Sequence, residues 1–281
     1  MKTIRNILII LMVGICLIAC SSDDTERELA NSEIAAPTVQ GKRLVKVKHG
    51  ETFTSLEYNS AGQISKVKYH SKDGTTREDS YWYEDNRIVW NWNEIDAEYR
   101  MKEGHVVECN YTALTSMDED AMSVDVEHLY IYDDGGHLIK HTWPYDFTEE
   151  GPIEEIYTYT WKDGNIISVL VSDTSEDTIP REEYDIKYTS IENNIPFFFT
   201  YFYSYDVYLE WQSCFGKRCK KLPQSVTYMN LTMEPPWEWG VHSITHIFNY
   251  ILEDGLVTKI AVESIDDKGN SSLDVYELEW W

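Results

Sequence analysis

Positive charge is scarce in this chain: 24 Lys and Arg stand against 49 Asp and Glu, a formal charge of −25. Nucleic-acid binding needs cations that neutralise phosphates, and docking on anionic lipid needs polybasic patches, so the balance argues against both. Long apolar runs are scarce too. Ile7 to Ile15, followed by Cys16-Leu17-Ile18-Ala19, falls short of the roughly 20 apolar residues of a spanning helix. Cysteine occurs only five times, with no motif that would pair a thiol with a base. Gly-x-Ser-x-Gly, phosphate-loop and dinucleotide fingerprints are all missing, so no cofactor is indicated. What the chain does have is aromatic content of 14% within 42% hydrophobic residues, too rich for a disordered acidic chain.

Met1 to Arg5 is a positive leader and Ile7 to Ile15 its apolar core, the layout of a signal peptide over residues 1–19. Leu17-Ile18-Ala19-Cys20 closely resembles a bacterial lipobox, which implies acylation of Cys20 and cleavage before it. Loss of Lys2 and Arg5 would bring the charge to about −27. Each buried methylene of an acyl chain contributes roughly 0.8 kcal/mol, so several chains hold a protein on a membrane without apolar protein surface. Ser21-Ser22-Asp23-Asp24-Thr25-Glu26 resembles the export signal of surface lipoproteins in anaerobic Gram-negative gut bacteria. The expected location is the outer membrane, lipid-anchored and surface-exposed. Residues 20–41 read as the lipidated cysteine and a flexible tether, and 42–281 as one domain.

From Lys42 onward, short runs of period two are separated by Gly, Asn and Asp turns. One unit recurs: an aromatic, a polar turn, Gly or Asn, then an aliphatic that opens the return strand. It appears as Tyr58 to Ile64, Tyr83 to Ile88, Tyr99 to Val106, Tyr132 to Leu138, Trp161 to Ile166 and Tyr250 to Val257. Such turns need positive φ, which Gly and Asn tolerate. The fold expected is all-β, an antiparallel meander of roughly twelve to sixteen strands forming a curved sheet or partly closed barrel.

These sequential hairpins resemble those of the DUF4595 family of secreted lipoproteins, whose domain is described as porin-like. Gly216 to Tyr228 is similar to the family's Gly…Leu-Pro…Tyr segment, and Phe248 to Ile260 with Tyr276 to Trp280 to its closing hairpin and final strand. The resemblance covers residues 42–281 and implies a fold; the family brings no established activity and no catalytic residues. A membrane pore is not expected. Counting back by two from Trp281 places Glu279 and Glu277 on the face that lipid would touch, and Lys46 and Lys48 are assigned one face with Leu44.

Candidate sites follow from side-chain chemistry. His242 and His246 would converge on a helix, but on a strand they lie about 13 Å apart, too far to share one metal ion unaided. The turns Asp133 to Gly136 and Asp266 to Asn270 lack the alternating oxygen ligands of a calcium loop, and no metal site is assigned. Cys214 and Cys219 are spaced for a possible disulfide across a hairpin, and Cys109 reads as a small buried hydrophobe. Acidic pairs such as Glu154-Glu155 and Glu182-Glu183 are too numerous to identify a catalytic one. Trp90 and Trp92 share a strand face, suited to filling a wide barrel. Met233 to Gly240 is a segment stiffened by Pro235 and Pro236 that presents Trp237, Glu238 and Trp239, suited to stacking on a sugar while accepting hydrogen bonds. The function expected is a surface-tethered binding module for a glycan or peptide. Alternatives are a carbohydrate-active hydrolase with an acidic pair in a cleft, or a structural partner of an outer-membrane protein.

Overall fold

Strand formation is plainest in Ile95–Lys102, where Asp96, Glu98, Arg100 and Lys102 are exposed while Ala97, Tyr99 and Met101 are buried. A period of two with one face dry and one wet is the signature of a pleated strand in a closed wall. The computed structural model describes residues 34–92, 95–114, 123–148, 151–174, 180–195, 207–231 and 242–281. Sixteen strands follow one another along the chain. They are β1 (Leu44–His49), β2 (Thr52–Tyr58), β3 (Ile64–His70), β4 (Thr76–Glu84), β5 (Arg87–Trp92), β6 (Ile95–Lys102), β7 (His105–Leu114) and β8 (Ser123–Tyr132). The second half comprises β9 (Leu138–Thr148), β10 (Gly151–Lys162), β11 (Asn165–Asp173), β12 (Glu182–Glu192), β13 (Lys221–Asn230), β14 (Ser243–Glu253), β15 (Leu256–Asp266) and β16 (Ser271–Trp280). One short helix, α1 (Val207–Trp211), lies between β12 and β13. Each strand pairs antiparallel with its sequence neighbours, and β1 also pairs with β16, so the all-β meander closes into a barrel without edges.

The wall is charged outside and apolar within. Lys46 meets Glu279 at 3.0 Å, Lys66 meets Glu78 at 2.5 Å, and Arg87 bridges Glu84 and Glu98 at 2.7 and 3.0 Å. Glu277 and Glu279 face outward, as the alternation from Trp281 requires. The assignment of Leu44 to the face of Lys46 and Lys48 is corrected. A register shift between Leu44 and Lys46 turns Leu44 into the core while both lysines stay outside.

The recurring aromatic and aliphatic positions now have a physical account. The aliphatics Leu44, Ile64, Ile88, Val106, Leu138, Ile166, Leu222 and Val257 are all fully or nearly fully buried and form a belt near one end of the barrel. Aromatics near that end donate to backbone carbonyls of the belt or, at Pro223, of its immediate neighbour. Tyr83 Oη donates to Ile64 O at 2.8 Å, Tyr132 Oη to Val106 O at 2.6 Å, and Tyr188 Oη to Ile166 O at 2.6 Å. Trp161 Nε1 donates to Leu138 O at 2.7 Å, Tyr250 Oη to Pro223 O at 2.8 Å, and Trp280 Nε1 to Val257 O at 2.8 Å. Tyr58 completes the series on Leu44 O. Burial pushes the phenols of Tyr58, Tyr132, Tyr188 and Tyr250 well above the ordinary tyrosine range, so they remain protonated donors. Two units depart from direct pairing of aromatic with aliphatic. Leu252, not Tyr250, stands opposite Val257. Met101, not Tyr99, stands opposite Val106, and Tyr99 lies deeper, edge-on to Phe215.

A sixteen-stranded wall encloses more space than its own inward side chains fill, and barrels of this size elsewhere leave a channel. Here the end with the tight turns is stoppered by residues 207–220, ahead of β13. Gln212 donates to Tyr83 Oη and accepts from Ile64 N, Cys214 O accepts from Val106 N, Lys217 N donates to Gly136 O, and Lys220 N to Gly164 O. These contacts stitch the plug to turns around much of the circumference. Within it, burial raises the carboxyl of Glu210 from its usual value to about 7, against a smaller opposing pull from Arg218. A raised carboxyl favours folding while protonated, below its unfolded value near 4.5, and loses that advantage as pH rises through about 7. Glu210→Gln is therefore expected to be more stable than the parent by about 2 kcal/mol at pH 8 and similar to it at pH 4.5. Urea denaturation at the two pH values checks this.

Candidate functional site

Above the plug the lumen changes character from aliphatic to aromatic and polar. A cavity of about 290 Å³ is lined on one side by Tyr69, Arg77, Asp79, Tyr81, Trp90 and Trp92, and on the other by Tyr111, His128 and Tyr130. Tyr208, from α1, contributes to its floor. Strand parity positions these groups: Arg77, Asp79 and Tyr81 alternate along β4, and Trp90 and Trp92 along β5. Trp90 is nearly parallel to Trp92 at 5.6 Å and to Tyr81 at 6.5 Å, so the wall is a row of ring faces. The Arg77 guanidinium lies 4.3 Å from the Tyr69 ring centre, and its Nε is 3.4 Å from Asp79 Oδ1. Burial raises the Asp79 carboxyl, while Arg77 and hydrogen bonding from Tyr69 and Trp90 pull it back.

A second polar group continues from the His128 side. His128 Nδ1 lies 3.3 Å from His141 Nε2, and the two rings are stacked. Burial lowers His128 to about 4 and His141 to about 3, so both are neutral and one donates to the other. His128 also lies against Trp143, and His141 against Tyr157. Trp143 Nε1 and Tyr157 Oη donate to Glu155 Oε2 at 2.8 and 2.9 Å, and Arg181 donates to Glu155 Oε1 at 2.6 Å. Arg181 also reaches Asp173 at 2.8 Å, and Glu182 accepts from Tyr184 and Tyr228.

No family model matches the chain, and no curated protein does. Solved structures do match. A porin-like protein from Bacteroides uniformis aligns with a TM-score of 0.61 at 14% identity, over 88% of this chain and 100% of that one. A porin-like protein from Bacteroides vulgatus gives 0.57 at 16% identity, over 84% and 97%. The chain shares their fold. At such identity the likeness extends to the barrel and to nothing chemical.

Within this barrel the residues singled out from sequence are scattered. Cys20 and the Trp237, Glu238, Trp239 group lie outside the described residues. The disulfide considered for Cys214 and Cys219 is not formed. The described cysteines are all thiols, Cys214 being packed in the plug core and Cys219 Sγ receiving Ile166 N–H at 3.4 Å beside Tyr188 Oη. Cys109 is buried, as its reading as a small hydrophobe requires, and it lines the cavity. His242 and His246 have separate partners, Asp267 through the His242 backbone and Ser264 through the His246 ring. Asp133 and Asp266 are taken up by backbone amides of their own turns. Trp90 and Trp92 do share a face, turned inward, whereas Trp82 points outward and is 52% exposed. Asp79, His128, His141 and Arg181 were not anticipated. For the three on strands the signal is parity, since Asp79 shares a strand face with Tyr81 and His128 with Tyr130; Arg181 precedes β12 and has no such signal.

Proposed function

We propose that the protein is an envelope-associated binding module, anchored through lipid on Cys20, whose barrel receives a ligand in its lumen rather than conducting ions. The observation that carries this reading is the inverted wall, with ion pairs outside, rings inside and a stitched plug across one end. Each Lys or Arg facing hydrocarbon near the midplane would cost about 2–4 kcal/mol, and the outer face carries many. The porin-like proteins of similar fold come from Bacteroides, and the lipobox resemblance supports an envelope location. A glycan or peptide suits the aromatic lining. Trp237, Glu238 and Trp239 would add to it through the same chemistry, rings that stack on a sugar beside a carboxylate that accepts hydrogen bonds. The Cys20→Ala protein is expected to remain soluble without detergent and to give no conductance in planar bilayers. Reproducible channel steps, or a requirement for detergent, would overturn the reading.

A hydrolase would draw on lumen carboxylates such as Glu155 and Glu182. Both oxygens of Glu155 are already held by Arg181, Trp143 and Tyr157, which suits a structural acceptor better than a group free to exchange protons with a substrate.

A further inference from the structure

The lumen cavity lies where two small side chains interrupt a wall of rings. Ala97 lines it directly opposite Trp90, and Cys109 lines it opposite Tyr99 on one side and His128 on the other. Both small residues are buried, so neither belongs to the solvated outer face. Native interiors leave few voids larger than a water molecule, because an unfilled void forfeits dispersion contacts. A notch of about 290 Å³ in a wall otherwise packed with rings therefore points to an occupant.

The pairings within the wall define that occupant. Asp79 is taken up by the Arg77 guanidinium and by hydrogen bonds from Tyr69 and Trp90. His128 faces His141 at 3.3 Å, and burial keeps it neutral. The charged and imidazole groups thus serve one another, and what the notch offers is ring faces. Trp90 is tilted only 12° from Trp92 and 8° from Tyr81, so those faces share one orientation. A flat aromatic ring stacks along them or meets them edge-on. Cavities walled by apolar side chains stay dry and take up aromatic molecules. A sugar ring would instead enter with hydroxyls around its rim, each losing hydration where it found no partner. An ammonium would meet Arg77, which already lies over the Tyr69 ring at 4.3 Å, and a carboxylate would meet Asp79. The volume lies at the lower edge of small-molecule pockets and accommodates a single ring system.

We infer that the cavity binds one uncharged aromatic ring, seated in the notch over Ala97 with a face against Trp92. This rests on the reading of the lumen as a binding site. Free aromatic compounds and aromatic side chains of peptides share this chemistry, and the test separates them. The Cys20→Ala protein is titrated by calorimetry with indole and p-cresol as free rings. N-acetyl-tryptophanamide and N-acetyl-tyrosinamide serve as peptide-borne rings, and tryptamine, indoleacetate and methyl glucoside are run in parallel. At least one neutral aromatic should bind saturably, and about tenfold or more tightly than those last compounds. Tighter binding of a free ring assigns a small molecule and tighter binding of a capped amino acid a peptide; both support the inference. Ala97→Leu, which fills the notch, and Trp92→Leu, which removes the ring face, should each weaken that ligand by about tenfold or more. Trp82→Phe, on the outer wall, should leave it unchanged. Melting curves establish that the variants are folded, and Trp92→Leu carries the test should Ala97→Leu fail to fold. Binding of none of the neutral aromatics, preference for tryptamine, indoleacetate or methyl glucoside, or unaltered affinity in either folded variant would overturn the inference. A non-conducting barrel with any of those results would leave the lumen reading standing and remove only the aromatic assignment.

Discussion

Acid should weaken this barrel through two histidines, by about 5 kcal/mol between pH 6.5 and pH 4. His128 and His141 are held neutral in the folded chain, with values lowered from 6.5 to about 4 and about 3, chiefly by burial. Over that interval the unfolded chain binds two protons that the folded chain refuses. Stability is therefore intact above the unfolded value and is lost as pH falls toward the folded ones. Glu210 acts in the opposite sense over much of the same interval, because its carboxyl is raised to about 7 and favours folding when protonated. The cleanest measurement is made in the Glu210→Gln background, which removes that opposing contribution. Urea denaturation at pH 7, 5.5 and 4 should show a steep acid limb, and His141→Gln should flatten it by about 3 kcal/mol. An acid limb of the same depth with and without His141 would refute the assignment.

Gly216→Ala is expected to destabilise the protein by about 2–4 kcal/mol, lowering Tm by about 5–15 °C. The residue has a φ of 84°, and an added Cβ would lie 2.6 Å from Gly136 O and 2.8 Å from the Tyr132 ring. Neither neighbour yields readily. Gly136 O accepts from Lys217 N, and Tyr132 is tied to Val106 O. Gly74 provides the control, with φ of 86° and nothing within 4 Å of the added atom. Gly74→Ala should cost only the backbone conformation, about 1 kcal/mol. The difference between the two melting temperatures isolates the contribution of plug-to-turn packing.

The sequence makes the hairpins legible because their determinants are local. A tyrosine, a turn and an aliphatic a few residues on identify each strand pair, and the belt of carbonyl-bound aromatics explains why that spacing repeats. The departures are local as well. Tyr99 resembles the other turn aromatics, but the position opposite Val106 is Met101, and only the register reveals it. The face of Leu44 is hidden by a bulge that a simple count by two cannot see. The cavity is legible only in fragments. Asp79 is one acid among 49, and nothing in its immediate neighbours Glu78 and Ser80 separates it from a solvated residue. Its surroundings come from Trp90 across the hairpin and from a cavity that Tyr208, more than a hundred positions away, also lines. Trp90 and Trp92 were visible as a pair, but a row of aromatic rings filling a barrel and one walling a binding site have the same alternation. Cys214 and Cys219 have a spacing compatible with a bridge, yet the plug assigns them different surroundings.

The seam between β1 and β16 has a consequence for how the molecule comes into being. Every other strand contact closes a hairpin or a modest loop, whereas Lys46 and Glu279 meet across 233 positions. Bringing such distant ends together costs about 3 kcal/mol more entropy than closing a ten-residue loop. The hairpins accordingly assemble as a ribbon that grows with the emerging chain, and the last join waits until the final strand has arrived. Until then two unpaired rims are on offer. A second, equally incomplete molecule supplies what each rim lacks, so crowding during refolding should yield strand-exchanged dimers joined through this one seam.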